Sequence, residues 1–498
     1  LTFLIGFGLP LFICMPLWAD VTHYDMAARN LLQGGVAYRD IFDTNLPGMV
    51  WLHVLIRSVV GWSSEALRFA DVVICASIVG LLIAELRDRQ IPIRGRVWFA
   101  GVMSGCYLYS WEMVHCQRDV WLLIPALIAM RMRPSIRAGL IWGIGVWIKP
   151  HIIVPALFVY LIRKPPRRTG QLIVGGLIAG ALGMAWMFGS GAWPHFVEVM
   201  RTWNVGGYYE RNDRPDGFGQ WVMEPFRYFP PWTLLHALAI PLAINDIVRR
   251  RSTLSGLYLG FLIQATFMQK GHIYVFMPPL LLAFAVISAN RIALGPIALG
   301  WFTFTAIISL TPIAGWLKEV RPITVSLMLE PHECERLDQW KSWPRCWSEG
   351  ASPDLMNRLE RMADFTTSTD WVQLQQIAEF LRSRNLKDGE LLCEGNTTHP
   401  LYLMLNLRPA TRYMHVGTIR YYFPARRDAL DRELRQSGCR YIVSDCRVWG
   451  LTIEQGNEDV KNDPLALPPD FPEWERELFP WNVKVTHRVG RYYVHQID

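Results

Sequence analysis

From Leu1 to about Trp316 the chain is a succession of apolar runs, and the short segments joining them alternate in charge. A helix needs about 20 apolar residues to cross about 30 Å of hydrocarbon, and in lipid only helices and closed barrels satisfy the backbone. Candidate spans fall at 1–18, 66–86, 97–111, 120–132, 138–149, 151–163, 170–189, 231–248, 253–269, 273–289 and 293–316. Several are shorter than an ideal span, so boundaries can move by a few residues and the count, about eleven, by one. One set of connections carries Arg87, Arg89, Arg94 and Arg96, then Arg131, Arg133 and Arg137, then RKPPRR at 163–168, then Arg249, Arg250 and Arg251, then Arg291. The other set is acidic or mixed: Asp20, Asp25, Asp40 and Asp43; Glu112 and Asp119; Glu198, Glu210, Asp213, Asp216 and Glu224. Basic loops stay on the cytoplasmic side. The alternation therefore predicts a multi-pass protein of the cytoplasmic (inner) membrane. Its N-terminus is cytoplasmic, and external loops 19–65 and 190–230 and the whole region 317–498 lie on the other side. The run 47–61, PGMVWLHVLIRSVVG, would break the alternation if it spanned. It is short, holds His53 and Arg57 and begins with Pro-Gly, so it is expected to lie at the outer interface with its apolar face in lipid.

Composition agrees with two solvents. The chain is 51% hydrophobic and 19% charged, against about 25% charged for soluble proteins, and the deficit is confined to the part before Leu317. The net charge of +7 does not argue for nucleic acid, because most basic residues of the first region sit in short loops between apolar runs. The 22 Trp suit two lipid interfaces. The opening run LTFLIGFGLPLFICMPLW has no small-residue cleavage site and reads as a retained span rather than a signal peptide. Nine Cys include no CxxC pair, so they carry no metal signature. Cys334 and Cys346 flank a short Trp-containing loop and are candidates for pairing if that region meets an oxidising compartment.

Chemistry-bearing residues collect outside the apolar runs. ADVTHYDMAARNLLQGG reads as a short amphipathic helix ended by Gly34-Gly35 and carrying Asp20, His23, Tyr24, Asp25, Arg29 and Asn30. SWEMVHCQRDVWLL holds Glu112, His115, Arg118 and Asp119. QKGHIYVFMPPLLLAFA places Lys270, His272 and Tyr274 at the head of an apolar span. In WGIGVWIKPHIIVPAL, Lys149 and His151 interrupt an almost wholly apolar stretch. A cation facing lipid at depth costs about 2.5–3.5 kcal/mol, so Lys270 and Lys149 must either snorkel to the interface or meet an anion. The Lys-Pro break suggests an external turn reaching a shared cavity. The loop 190–230 adds Trp193, Trp203, Tyr208, Tyr209 and Trp221. Such rings stack on sugars, and an interfacial aromatic belt explains them almost as well.

An acid directly after the first span, an aromatic a few positions on, then ARNLLQGGVAYRD and a Pro-containing interfacial helix resemble the first extracytoplasmic loop of the GT-C glycosyltransferases. That group includes protein mannosyltransferases and aminoarabinose transferases, which use polyprenyl-phosphate sugars. Its pattern there is roughly Asp-Glu-x-x-Tyr, then Ala-Arg-Asn-Leu-Leu, then Gly-Gly and x-Pro/Ala-Tyr-Arg-Asp. Aligned on Ala28-Arg29-Asn30-Leu31-Leu32, it puts Asp20 at the family's catalytic carboxylate, with Asp25 as a rival. The family's second acid becomes Val21, which removes one candidate ligand. The resemblance also makes Lys270, His272, Arg118 and Lys149 candidates for holding the donor phosphate. Tyr24, Arg29 and Asn30 are expected to fix the loop, and Trp203, Tyr208, Tyr209 and Trp221 to form a groove for acceptor or sugar. It covers about the first 320 residues.

After Leu317 the pattern becomes that of a soluble α/β layer. WVQLQQIAEFLRSRNL and DALDRELRQSG read as helices, GELLCEG and CRYIVSD as buried strands, and VKVTHRVGRYYVHQI as a hairpin turning at Val489-Gly490. THPLYLMLNLRPATRYMH reads as a satisfied core edge, with an acceptor-facing surface as the alternative. The whole is expected to be a polytopic α-helical membrane protein, GT-C-like over 1–316, with a soluble α/β domain over 317–498. The expected activity is inverting transfer of a sugar from a polyprenyl-phosphate carrier to a saccharide, lipid or protein acceptor outside the cytoplasm. A divalent metal is left open, since no ligand cluster is evident, and no Gly-rich phosphate loop points to a nucleotide. The competing readings are a transporter or flippase of lipid-linked saccharides, disfavoured by the lack of an internal repeat, and an inactive member serving in assembly, which the missing second acid keeps alive.

Overall fold

The apolar runs fold as helices wherever the computed structural model describes them, namely over residues 2–110, 112–162, 169–208, 232–267, 273–292, 294–295, 341–360, 369–414, 416–446, 465–468 and 471–497. In chain order these are α1 (Thr2–Cys14), α2 (Ala19–Leu32), α3 (Gly48–Val60), α4 (Ser64–Asp88), α5 (Ile93–Leu108), α6 (Arg118–Trp121), α7 (Leu123–Arg131), α8 (Ile136–Ile148), α9 (Ile153–Ile162), α10 (Thr169–Gly189) and α11 (Trp193–Val199). After a π-helical turn at Met200–Tyr208 come α12 (Trp232–Arg250), α13 (Thr253–Phe267) and α14 (Met277–Ala289). By length and composition α4 and α10 can each cross a membrane, and the other apolar helices are shorter. The run 293–316 lies outside the described residues except for 294–295.

The apolar side chains face outward as well as inward. Leu157 and Leu161 on α9, and Ile173, Leu177, Leu182 and Phe188 on α10, are exposed. Only 22% of the most apolar window of α10 is buried, whereas a core helix of a soluble protein would be mostly covered. Such a surface requires lipid around it. Between helices, close approach replaces hydrophobic drive. On α8 and α10, a Cβ at Gly139 would strike the Leu172 carbonyl and one at Gly175 the Ile136 carbonyl, so only glycine permits this contact.

α4 organises the two ends of the bundle. Its 25 residues extend about 37 Å. At its C-terminal end Glu85 accepts from Arg89 Nε and Arg131 Nη1, both at 3.0 Å. Arg89 Nη2 also donates to Ser252 Oγ at 2.7 Å, and Arg250 lies 3.6 Å from Asp246. Three of the basic connections thus gather at one end, while α2, α3 and residues 112–121 gather at the other.

α2 stops because Gly34 takes a left-handed φ of +80°, and Gly35 N then donates to Asn30 O at 2.8 Å. α3 lies against α2 with Leu55 and Val59 exposed and His53 and Arg57 fully buried. Its exposed apolar side chains face out of the bundle, and His53 and Arg57 face in.

Beyond residue 340, α15 (Trp343–Ser348) and α16 (Pro353–Leu359) pack on α1, and α17 (Trp371–Arg382) covers a four-stranded sheet. Its strands β1 (Leu391–Cys393), β2 (Tyr441–Asp445), β3 (Val485–Val489) and β4 (Tyr492–Gln496) run in the order β1-β2-β4-β3. β1 and β2 are parallel and the other pairs antiparallel. The closing hairpin turns at Gly490, where φ is +56°. Residues 398–414 form a short helix, α18 (Pro400–Leu405), and a strap in which His399, Tyr402 and Tyr413 are buried. That strap grips the loop after α2 and also α11: Phe42 N donates to Arg412 O at 2.7 Å, Arg408 Nη2 to Gln33 O at 3.0 Å, and Arg412 Nη1 to Glu198 Oε2 on α11 at 2.8 Å.

Candidate active site

Two charged residues one turn apart on α4 hold the segments that form the site. Asp71 accepts from Trp121 Nε1 at 2.6 Å, Tyr107 OH at 2.8 Å and Cys116 N at 3.0 Å, and so pins both ends of the stretch bearing Arg118 and Asp119. Arg68 donates to the Pro16 carbonyl, four residues before Asp20, and its Nη1 lies 2.8 Å from His115 Nδ1. Both side chains are completely buried. Burying charge is expensive unless it is paired and hydrogen-bonded; here the result is a rigid connection between the segments before α2 and before α6.

Asp25 belongs to this supporting layer. It is wholly buried, with Oδ1 2.8 Å from His53 Nδ1 and 2.7 Å from Arg57 Nε, and with Oδ2 held by Arg57 Nη2. Burial alone would raise its pKa, but the bonds from His53 and Arg57 outweigh it and hold the carboxyl below its usual range. Arg57 further donates to the Gly61 and Ser63 carbonyls at 3.0 and 2.7 Å, which fastens the turn between α3 and α4.

Asp20 stands on the first turn of α2, half-buried. Its charge acts on Tyr24, Lys149 and Tyr274, so residues from α2, the α8–α9 turn and the head of the 273–289 run share one neighbourhood. Tyr24 is buried and kept a neutral phenol, chiefly by that burial. Lys149 Nζ donates to Asp119 Oδ1 at 2.6 Å and sits 5.8 Å from the Tyr274 ring. Burial works against the charge of Arg118, yet the carboxylates of Asp119 and Asp43 keep the guanidinium firmly protonated. Asp43, also buried, is held below its usual range: burial opposes this, but His23 and the Asn45 N–H prevail.

Several polar atoms on these turns are buried without a hydrogen-bond partner among the described residues: Arg118 Nε, Asp119 Oδ2, His151 Nδ1, and both ends of the Gln117 amide. Buried groups left this way mark places where water or a ligand completes the bonding. Two cations, a half-buried carboxylate and unsatisfied donors at the end of a helical bundle suit an anionic group beside a proton acceptor. Among the described residues, no group of three or more His, Cys, Asp or Glu is arranged to hold a metal ion.

Asp20, Tyr24, Arg118 and Lys149 therefore come together. Asn30 is buried one helical turn beyond Met26 and bonds Asp40, which supports the loop. Arg29 lies 5.8 Å from the Trp62 ring, at the side of the site. Trp203 is enclosed rather than open: Phe42, Tyr413 and Phe423 lie 5.1, 5.7 and 4.9 Å from it, Arg426 covers it at 5.0 Å, and its Nε1 donates to Glu198 Oε1 at 3.1 Å. Lys270, His272, Tyr209, Trp221 and the side chain of Tyr208 lie outside the described residues, as does Cys334. Cys346 sits against Cys14 instead. The sequence pattern singled out Asp119 within its loop, but Asp43, Arg68 and Asp71 were not among the expected site residues. The signal for the last two was present, since a basic and an acidic residue inside an apolar span are themselves a functional flag.

No protein-family model matches the chain, and no curated protein does. Its structure is similar to that of ArnT from Cupriavidus metallidurans bound to undecaprenyl phosphate, with a TM-score of 0.57 at 12% identity over 99% of this chain and 96% of that one. The apo form of the same protein gives a TM-score of 0.57 over 99% and 97%. An oligosaccharyltransferase from Archaeoglobus fulgidus, tethered with an acceptor peptide, aligns at 0.45 and 10% identity over 89% of this chain and 68% of that one. At such identity the likeness speaks to architecture, and it extends past the membrane region through the C-terminal domain. The chain has the GT-C glycosyltransferase fold.

Proposed function

We propose that the chain is an integral-membrane inverting glycosyltransferase, which moves a sugar from a polyprenyl-phosphate carrier to an acceptor hydroxyl on the extracytoplasmic face of the inner membrane. The observation that carries this reading is the convergence of Asp20 with Arg118 and Lys149 at one end of a lipid-faced bundle. A carrier lipid keeps its tail in the bilayer and its phosphate at the surface, which suits a site at the end of the bundle rather than at its middle. ArnT, of the same architecture, binds undecaprenyl phosphate. The collection of basic connections at the opposite end of α4 supports the outward orientation of the site.

Asp20 accepts the proton of the acceptor hydroxyl as that oxygen forms its bond to the anomeric carbon from the face opposite the phosphate. The bond from the anomeric carbon to the phosphate oxygen breaks, and the departing phosphate gains charge. Arg118 and Lys149 stabilise that charge in a site largely closed to water. Asp25, engaged by His53 and Arg57, supports the loop, which leaves Asp20 as the reacting acid. Lys270 and His272 remain further candidates for the phosphate, with an eleven-span bundle and a divalent requirement to be determined alongside.

Purified protein incubated with short-chain polyprenyl-phosphate sugars should release polyprenyl phosphate. Asp20→Asn should slow that release by about 10²–10⁴-fold, the usual contribution of a general base. Undiminished turnover in Asp20→Asn would remove the site, and movement of intact donor across liposomes without cleavage would instead support a transporter.

A further inference from the structure

We propose that Cys14 and Cys346 form an intramolecular disulfide that fastens the segment after residue 340 to the end of the first helix. Cys14 closes α1, six residues before Asp20, and its Sγ lies 3.6 Å from the Cys346 carbonyl oxygen. The two thiols are also within hydrogen-bonding reach of each other. The sequence pattern suggested Cys334 as the partner of Cys346; the fold brings Cys14 to it from 332 residues away.

The approach is built by packing on both sides. The rings of Phe7 and Trp343 are parallel to within 1° at 6.0 Å. Leu11, Leu355 and Leu359 close an apolar cluster around the two sulfurs. Ala351 N donates to Glu65 Oε1 at 3.0 Å, which fixes the same segment to the start of α4. A disulfide here would lock the cover of the bundle next to Asp20.

The chemistry is thiol–disulfide exchange with an oxidised dithiol partner of the oxidoreductase class. One cysteine thiolate attacks the partner's disulfide, forms a mixed disulfide and releases the partner's first thiolate. The other cysteine then attacks the protein-side sulfur, closes the Cys14–Cys346 bond and releases the second thiolate. Two thiols of this chain lose two electrons and two protons, and the partner's disulfide is reduced. Cys14 is 2% exposed and Cys346 8%, so exchange takes place while α15 is settling on α1. The proposal rests on the outward orientation of the α1 C-terminal end, since only that compartment is oxidising, and not on glycosyl transfer.

The test uses the full chain in isolated membranes, acid-quenched, alkylated with N-ethylmaleimide and digested without reduction. Mass spectrometry should show one cross-linked peptide pair holding Cys14 and Cys346. The pair should separate on reduction and be absent from Cys14→Ser and Cys346→Ser. Alkylation of both thiols, or a Cys334–Cys346 link, would overturn the proposal. If both thiols are found alkylated, purified protein treated with oxidised glutathione separates the causes. Closure there lays the failure on orientation, and continued alkylation lays it on the geometry.

Discussion

Replacing Asp25 with Asn decides which of the two acids in the first loop reacts. The carboxylate is wholly buried, holds Arg57 through two nitrogens and bonds His53 at 2.8 Å. Asn keeps one acceptor oxygen but removes the charge, so a fully buried guanidinium loses its counterion. Breaking one side of a buried pair costs about 3–5 kcal/mol. The retained oxygen, and the Gly61 and Ser63 carbonyls still bonded to Arg57, place the loss near the lower figure. About 3 kcal/mol is a factor of roughly 150 in the ratio of folded to unfolded protein. Unfolding in detergent, followed by denaturant titration or by temperature, should show that loss, while polyprenyl-phosphate release per folded molecule stays close to wild type. The double replacement Asp25→Leu with Arg57→Leu should recover much of the stability, because no charge is stranded. Since the carboxyl is held below its ordinary range, its stabilisation is present above its unfolded value, about 3.9, and disappears on further acidification. An Asp25→Asn protein as stable as wild type but inactive would refute this reasoning and make Asp25 the reacting group.

Four further outcomes follow from the packing. Asp71→Ala strands the Trp121 and Tyr107 donors and the Cys116 N–H, at about 1–3 kcal/mol each; it should raise the donor KM through Arg118 as well as lower the unfolding temperature. Gly175→Val must push α8 and α10 apart at the Ile136 carbonyl, which costs about 1–3 kcal/mol or more, whereas Gly180→Ala meets nothing within 4 Å and should unfold like wild type. Trp203→Ala empties an enclosed aromatic cluster and should cost about 3–5 kcal/mol, seen as loosening of the 408–413 strap by proteolysis. In the C-terminal domain, burial and then Glu394 push the Glu475 carboxyl up to about 7 against the pull of Arg427 and Arg420. A raised folded value means that its contribution is full below the unfolded value, about 4.3, and is lost as pH rises through 7. Glu475→Gln should remove that part of the stability-against-pH curve, and an unchanged curve would show that Glu475 titrates normally.

Much of the architecture was legible because its causes are local. Apolar length marks helices in lipid whatever their neighbours are, Gly34-Gly35 must end α2, and the turn at Gly490 joins two β-rich runs. The neighbourhood of Asp20 was legible only through motif resemblance, because a carboxylate beside a membrane helix looks the same whether it is solvated or catalytic. The roles of particular side chains were less visible. Asp20 and Asp25 lie five residues apart on one helix, yet Asp25 turns toward His53 and Arg57 of α3 and becomes part of the scaffold. Trp203 has the chemistry of a sugar platform, but Phe42, Tyr413 and Phe423 cover it. Lys149 looked like a lone cation in lipid, and Asp119 answers its charge at 2.6 Å.

The sequence by itself determined the solvent of each part and the helical period of the first, since hydropathy and chain length act residue by residue. Which charge meets which was decided only by the tertiary structure. A buried polar contact depends on angstrom distances between segments far apart in the chain, as with Asp71 and Trp121 or Cys14 and Cys346. No local pattern encodes those distances.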